Sequence, residues 1–189
     1  MSQTTKRAIA ASLKKLLETT PLSKITIADI AEDCGISRMT FYYHFQDIYD
    51  LVKWICLEDS SRALAGKTDG ADWQEGFHAL CCCALENRAF CVNVYHSVQR
   101  EQLENHLYRE VFELLCGFVE QQAQGTRISV QDKEFIADFY KYAVVGMVLD
   151  WVKGGMRETP EQLTAKLSRL LNGQFALAIE NFRSDAAPG

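Results

Sequence analysis

The chain has 189 residues, 48% of them hydrophobic, with three prolines and eleven glycines, a composition that can bury a core as one domain or two small ones and that suits a mostly helical protein. A formal charge of −5 excludes a generally basic nucleic-acid binder. The longest nearly uncharged apolar run, Tyr142 to Leu149, is far short of the roughly 18 to 20 residues of a membrane span. MSQTTKRAIAASLKK shows no apolar stretch with a cleavage site after it, so a cytoplasmic protein is expected. The seven cysteines are odd in number and fall mostly in apolar helical patterns, which suits reduced thiols used as small hydrophobes. Residues 1 to 54 carry seven Lys/Arg against six Asp/Glu, and residues 55 to 189 carry thirteen against nineteen. A slightly positive head on an acidic body fits contact with an anionic partner at one end.

In chain order, Ile9, Leu13, Leu16 and Leu17 recur at helical spacing, so residues 4 to 18 are expected to form an amphipathic helix ending before Pro21. Thr26 is placed to cap a second helix, with Asp29 in its first turn and Ile27, Ile30 and Ala31 on one face. Gly35 supplies the positive φ that closes a helix, and Ser37 caps a third. Two short helices around a glycine-bearing turn describe a helix-turn-helix. A fourth helix is expected from Asp47 to near Gly66, where GKTDGAD reads as the clearest loop. Five further helices are expected at about 72–87, 89–98, 100–124, 131–154 and 160–183, the last started by Thr159 and Pro160. The fold class expected is all-α.

The stretch SRMTFYYHF, residues 37 to 45, crowds large side chains into two helical turns. Phe41 and Phe45 are i,i+4 neighbours that suit packing against the first two helices. Met39, Thr40, Tyr43 and His44 cover the other side, an arc of about 140°. Such a face fits the DNA major groove, where thymine methyls and polar base edges are both met. Taken singly, Thr26 could be only a cap and Tyr42 only a cover for the first helix.

KITIADIAEDCGISRMTFYYHFQDIYDL resembles the N-terminal DNA-binding domain of TetR-family transcriptional regulators, through Thr26, Ile30, Ala31, Gly35, Ser37, Thr40, Tyr42, His44, Phe45 and Leu51. YAVVGMVLDWVKGGMRETPEQL resembles the C-terminal domain of the branch that includes dihydroxyacetone-kinase operon regulators. The resemblance implies a helix-turn-helix domain over residues 1–50, a fourth helix from 47 linking it onward, and an all-helical effector-binding and dimerisation domain over 51–189. It implies base contacts by Arg38, Met39, Thr40 and Tyr43, and phosphate contacts by Thr26, Tyr42 and His44. Arg38 is the best reader of a guanine, since its fork bonds two acceptors. Many relatives carry a lysine where this chain has Ile48; a phosphate there would rely on the helix N-terminus. Lys6, Arg7 and Lys24 are candidates to supply the missing charge.

In the body, Phe77, His78, Cys81, Tyr95, His96, Tyr108, Phe112, Phe139 and Tyr142 are candidates to line an effector cavity. His78, Cys81 and Cys82 share a helical face and could be zinc or redox ligands, with a fourth ligand from Cys91 or His96. But Cys81, Cys82 and Cys83 spread over about 200° of a helix and cannot converge on one ion; buried thiols are the favoured reading, and no metal and no cofactor is expected. Phe139, Ala143, Gly146 and Asp150 form one stripe, and Leu163, Leu167, Leu170, Leu171, Ala178, Ile179 and Phe182 another. These faces could simply pack within the chain; the resemblance implies instead that Phe139, Ala143, Gly146, Leu163, Leu167, Leu171 and Ala178 lie at a four-helix homodimer interface. The partners expected are a double-stranded DNA operator, a second copy of the chain, and a small-molecule effector or partner protein, with no membrane. The alternative is a ligand- or partner-binding interaction protein of the same fold with weak DNA binding. No nucleophile–base–acid spacing, phosphate loop or metal motif points to an enzyme.

Overall fold

The computed structural model describes residues 2–66, 73–97 and 100–184. Ten α-helices run through the described residues: α1 (Ser2–Leu16), α2 (Ile27–Cys34), α3 (Arg38–His44), α4 (Ile48–Ala63), α5 (Trp73–Glu86), α6 (Arg88–Tyr95), α7 (Arg100–Gln122), α8 (Val130–Lys153), α9 (Pro160–Leu171) and α10 (Gln174–Asn181). Of the expected GKTDGAD loop, only Gly66 falls among them.

The head is set by local signals. Thr26 and Asp29 form a reciprocal capping box at the start of α2, an arrangement that satisfies two otherwise orphaned backbone donors. Gly35 closes α2 at φ 67°, and the Ile36 N–H returns to the Ala31 carbonyl at 2.9 Å. Ile9, Leu13, Ile30, Phe41 and Leu51 are fully buried between α1, α2, α3 and α4. The buried Ser12 hydroxyl donates to the Ile30 carbonyl at 3.3 Å, so the one polar group on that face of α1 is satisfied.

The body is built around α7 and α8, which form the most extensive helix pairing in the chain. Val111, Leu115 and Val119 on α7 are buried, as are Ile136, Val144 and Val145 on α8. Against α7 lies α5, and Gly76 lets the two approach: a Cβ there would stand 2.6 Å from Leu114 Cδ1. The turn from α8 to α9 is tied twice, by Arg88 Nε donating to the Gly155 carbonyl at 3.0 Å and Trp151 Nε1 to the Glu158 carbonyl at 2.9 Å.

The expected helix over 160–183 is two helices. Asn172-Gly173 is a turn dipeptide, and Gly173 adopts φ 75°. The break resets the helical phase. Before the break, Leu163 and Leu167 face inward, 4% and 2% exposed, on a helix that packs against α5; after it, Phe175 and Ile179 are the buried positions.

Candidate nucleic-acid interface

The outward helix of the head is α3. Ser37 Oγ accepts the Thr40 N–H at 3.0 Å and lies 2.9 Å from the Thr40 hydroxyl, so the helix starts where the sequence requires. Phe41 and Phe45 are 0% and 3% exposed, their rings 5.9 Å apart, and Phe45 stacks at 5.8 Å against Trp54 of α4. The opposite side is open to solvent: Met39 is 78% exposed and Tyr43 83%. Arg38 and Tyr42 are also exposed, while Thr40 and His44 are half-buried. The His44 ring meets Tyr43 edge-on at 5.1 Å. The structure thus brings Arg38, Met39, Thr40 and Tyr43 onto one helix backed by a solid core.

The cations of the head are unequally committed. Arg7 is paired with Glu58 at 2.7 Å, Lys14 with Asp59 at 2.5 Å and Lys15 with Asp33 at 2.5 Å. Lys6 lies over two rings, 5.3 Å from Phe45 and 5.9 Å from Trp54, a cation–π position. Lys24 and Arg38 are exposed. Thr26 is exposed too, but its hydroxyl donates to Asp29 at 2.8 Å. The backbone N–H and hydroxyl of Thr26 hold the Asp29 carboxyl below its usual range, with a smaller contribution from Arg38.

The start of α4 differs from expectation. Asp47 accepts the Asp50 N–H at 2.8 Å, and Asp50 accepts the Gln46 N–H at 3.1 Å. Two carboxylates thus lie at the helix N-terminus, which weakens its pull on a phosphate. Ile48 is half-buried against the core.

The nine residues expected to line an effector cavity do not converge. Phe77, Cys81 and Tyr95 are buried in the core, Tyr108 and Phe112 pack on it, and Phe139 and Tyr142 face outward at 65% and 57% exposure. His78 lines a cleft with Asp59 and Cys82; His96 lines another hollow beside Leu22 and Tyr49. A different cavity, of about 350 Å³, lies between α4 and α7, lined by Val52, Lys53, Cys56, Leu57, Leu103, Asn105, His106 and Arg109. Arg109 donates to His106 Nδ1 at 3.0 Å. Burial, then Arg109, pushes the His106 pKa down to about 4, so the ring is neutral near pH 7. No periodicity in either helix marks this cavity, because Lys53 and Arg109 share their faces with polar residues such as Asp50, Asn105 and His106.

Of the residues expected at the dimer interface, Phe139 and Ala143 are exposed, Gly146 has open space where a Cβ would stand, and Leu171 and Ala178 are half-buried. Leu163 and Leu167 are intramolecular core. The exposed apolar residues that accompany Phe139 are Phe135, Tyr142, Leu170, Leu177 and Phe182. Phe135 and Phe182 touch, 6.0 Å between ring centroids, so part of this set forms one patch.

Residues 9–55 match the family described as bacterial regulatory proteins, tetR family, and residues 71–173 match a transcriptional regulator C-terminal region. The chain is 24% identical over 176 residues to the HTH-type dhaKLM operon transcriptional activator DhaS of Lactococcus lactis subsp. lactis (strain IL1403), covering 92% of this chain and 91% of that protein. Over 38 residues, 20% of this chain and 18% of the relative, it is 50% identical to the HTH-type transcriptional regulator EthR of Mycobacterium tuberculosis (strain ATCC 25618 / H37Rv). Among solved structures, the dihydroxyacetone kinase operon activator DhaS superposes with a TM-score of 0.76 at 24% identity, covering 95% of this chain and 98% of that one. NalD, the secondary repressor of the MexAB-OprM multidrug efflux pump in Pseudomonas aeruginosa, gives 0.57 at 18%, covering 97% and 100%. With α3 inside one family match and α5 to α9 inside the other, the chain belongs to the TetR family of DNA-binding transcriptional regulators.

Proposed function

We propose that the chain acts as a homodimer that binds a two-half-site operator through α3, with residues 1–50 as the DNA-binding domain and 51–189 as the effector and dimerisation domain. Arg38, Met39, Thr40 and Tyr43 meet base edges. Tyr42, His44 and Lys24 meet phosphates, with Lys6 and Thr26 at the margin because each already has an internal partner. The observation that carries this reading is the division of α3 into buried Phe41 and Phe45 and a solvent-facing side headed by Met39 and Tyr43.

The second copy covers the exposed Phe135, Phe139 and Leu177 face, setting two heads at a fixed separation as paired half-sites require. The effector is a small polar or anionic molecule in the cavity between α4 and α7, where Lys53 and Arg109 supply charge and the size suits a metabolite. Because α4 continues directly from the head, a ligand that favours one α4–α7 spacing favours one head separation. A ligand with equal affinity for both spacings would shift nothing. The chain acts by binding and not by turnover, in keeping with relatives named as regulators. The site of action is the cytoplasm, where operator DNA is met; no helix among the described residues is long and apolar enough to cross a membrane.

Selection of bound duplexes from a random DNA pool tests the reading. An enriched inverted repeat, bound by two chains, is expected. Failure to enrich any sequence at low salt would favour the interaction-protein alternative, which draws on the commitment of Arg7, Lys14 and Lys15 to internal ion pairs.

A further inference from the structure

His78 and Cys82 stand four residues apart on α5, so both side chains leave one face of the helix. That face meets the start of α9, where Glu161 follows the buried Pro160. His78 Nε2 lies 3.6 Å from Cys82 Sγ and 3.2 Å from a Glu161 carboxylate oxygen. Donor atoms of the three residues lie within 4.8 Å of one another.

The Nε2–Sγ and Nε2–carboxylate separations are those of neighbouring ligands in a coordination sphere; Sγ also lies 3.8 Å from Nδ1, so the ring turns to aim Nε2 at an ion. A zinc-type ion bonds thiolate at about 2.3 Å, and imidazole nitrogen and carboxylate oxygen at about 2.0–2.1 Å. Tetrahedral angles then place sulfur and nitrogen about 3.6 Å apart, and nitrogen and oxygen about 3.3 Å apart. In the ion-free state the Nε2–H tautomer donates to Glu161 while Nδ1, 3.8 Å from Cys82 Sγ, can accept from the thiol. Loss of the thiol proton and exposure of the Nε2 lone pair turn the same three groups into ligands, as metal binding with proton release requires.

The arrangement is held from outside as well. Thr159 and Gln162 cap α9 reciprocally, at 3.3 and 3.0 Å. With the His78 side chain 38% exposed and that of Glu161 68% exposed, an ion can enter from solvent.

We propose that His78, Cys82 and Glu161 bind one divalent ion of the zinc class, with the fourth position open to water or to an outside ligand. Thiolate, imidazole and carboxylate together suit a borderline-soft ion, not magnesium or calcium. The ion staples α5 to α9. The neighbouring Cys83 donates to the Asp59 carbonyl of α4 at 3.7 Å, so the staple lies one residue from the helix that continues out of the head. This site does not depend on how the head reads DNA, and its test involves no DNA.

Cobalt(II) added to the reduced, chelator-treated full chain is the probe. The expected result is one equivalent bound, tetrahedral ligand-field absorption, a thiolate-to-metal charge-transfer band, and displacement by zinc. Cys82→Ser should lose the charge-transfer band and Cys83→Ser should keep it. Glu161→Gln, an exposed change that leaves the fold intact, should keep the band but weaken binding by at least the roughly 10–100-fold that loss of an outer-shell partner costs. Absence of the band in the parent, its survival in Cys82→Ser, or unchanged affinity in Glu161→Gln would overturn the proposal.

Discussion

Two surfaces of this molecule expose large aromatic side chains, and their surroundings separate them. On α3, Met39 and Tyr43 stand among Arg38, Thr40 and His44, so every apolar group has a polar or charged neighbour. On α8 and α10, Phe135, Phe139 and Leu177 are exposed together with Phe182, and Phe135 and Phe182 meet ring to ring. A face of the first kind complements a groove that offers methyl groups beside donors and acceptors. A face of the second kind is satisfied only by another apolar surface. Exposure alone distinguishes neither; the neighbours do.

The sharpest way to break the comparison is to remove what holds each face in place. Phe41→Ala deletes the anchor behind α3 and should cost about 3–5 kcal/mol of stability in denaturant unfolding, with operator binding lost as the head loosens. Unfolding within ~1 kcal/mol of the parent would mean that the core does not set the reading face. On the other surface, Phe139→Asp should cost about 2–4 kcal/mol of association, since a two-fold interface feels the change from both sides. Sedimentation equilibrium would then report monomers. Leu163→Ala sharpens the contrast: it should destabilise the fold by about 2–5 kcal/mol and leave the association constant alone, because Leu163 is buried within its own chain.

Smaller effects probe the edges of the two surfaces. Thr26→Ala should cost about 0.5–2 kcal/mol of stability through the lost cap, without changing which bases are selected; altered base preference would contradict its placement at the backbone. Between the surfaces, His106 is neutral in the fold, its pKa pushed down to about 4 from an unfolded value near 6.5. As pH falls from about 6.5 toward 4, the unfolded chain takes up this proton before the folded one, and stability falls. His106→Gln should lose less of its melting temperature over that interval than the parent. Glu110 stands 3.6 Å from the ring in the parent and is unchanged in the variant, so the difference reports chiefly on the imidazole. Parallel curves would mean that burial between α4 and α7 does not hold His106 neutral.

What was legible in the sequence tracks how local the signal is. The helix-turn-helix is written in neighbours: Thr26 with Asp29, Gly35 after α2, Ser37 with Thr40, Phe41 with Phe45. Each acts within one turn of helix, so periodicity and capping rules reach it. The body depends on which helix faces which. Leu163 and Leu167 form a genuine stripe, but a stripe shows only that something covers it, and here α5 does so. Reading through Asn172-Gly173 as continuous helix joined two stripes that belong to different helices. His78 and Cys82 share a face in any helical reading, whereas Glu161 joins them from 83 positions away from His78. The residues expected to line an effector cavity scatter for the same reason: a cavity is a gap between helices, and no single periodicity describes it.

The central claim is that α3 reads bases with the side opposite Phe41. Arg38→Ala tests it most directly, by comparing affinity and selected sequence with the parent in one salt series. The account predicts a loss of about 1–3 kcal/mol and relaxed preference at one position in each half-site, with stability unchanged because Arg38 is exposed. An Arg38→Ala protein that selects the same sequence with the same affinity would contradict it.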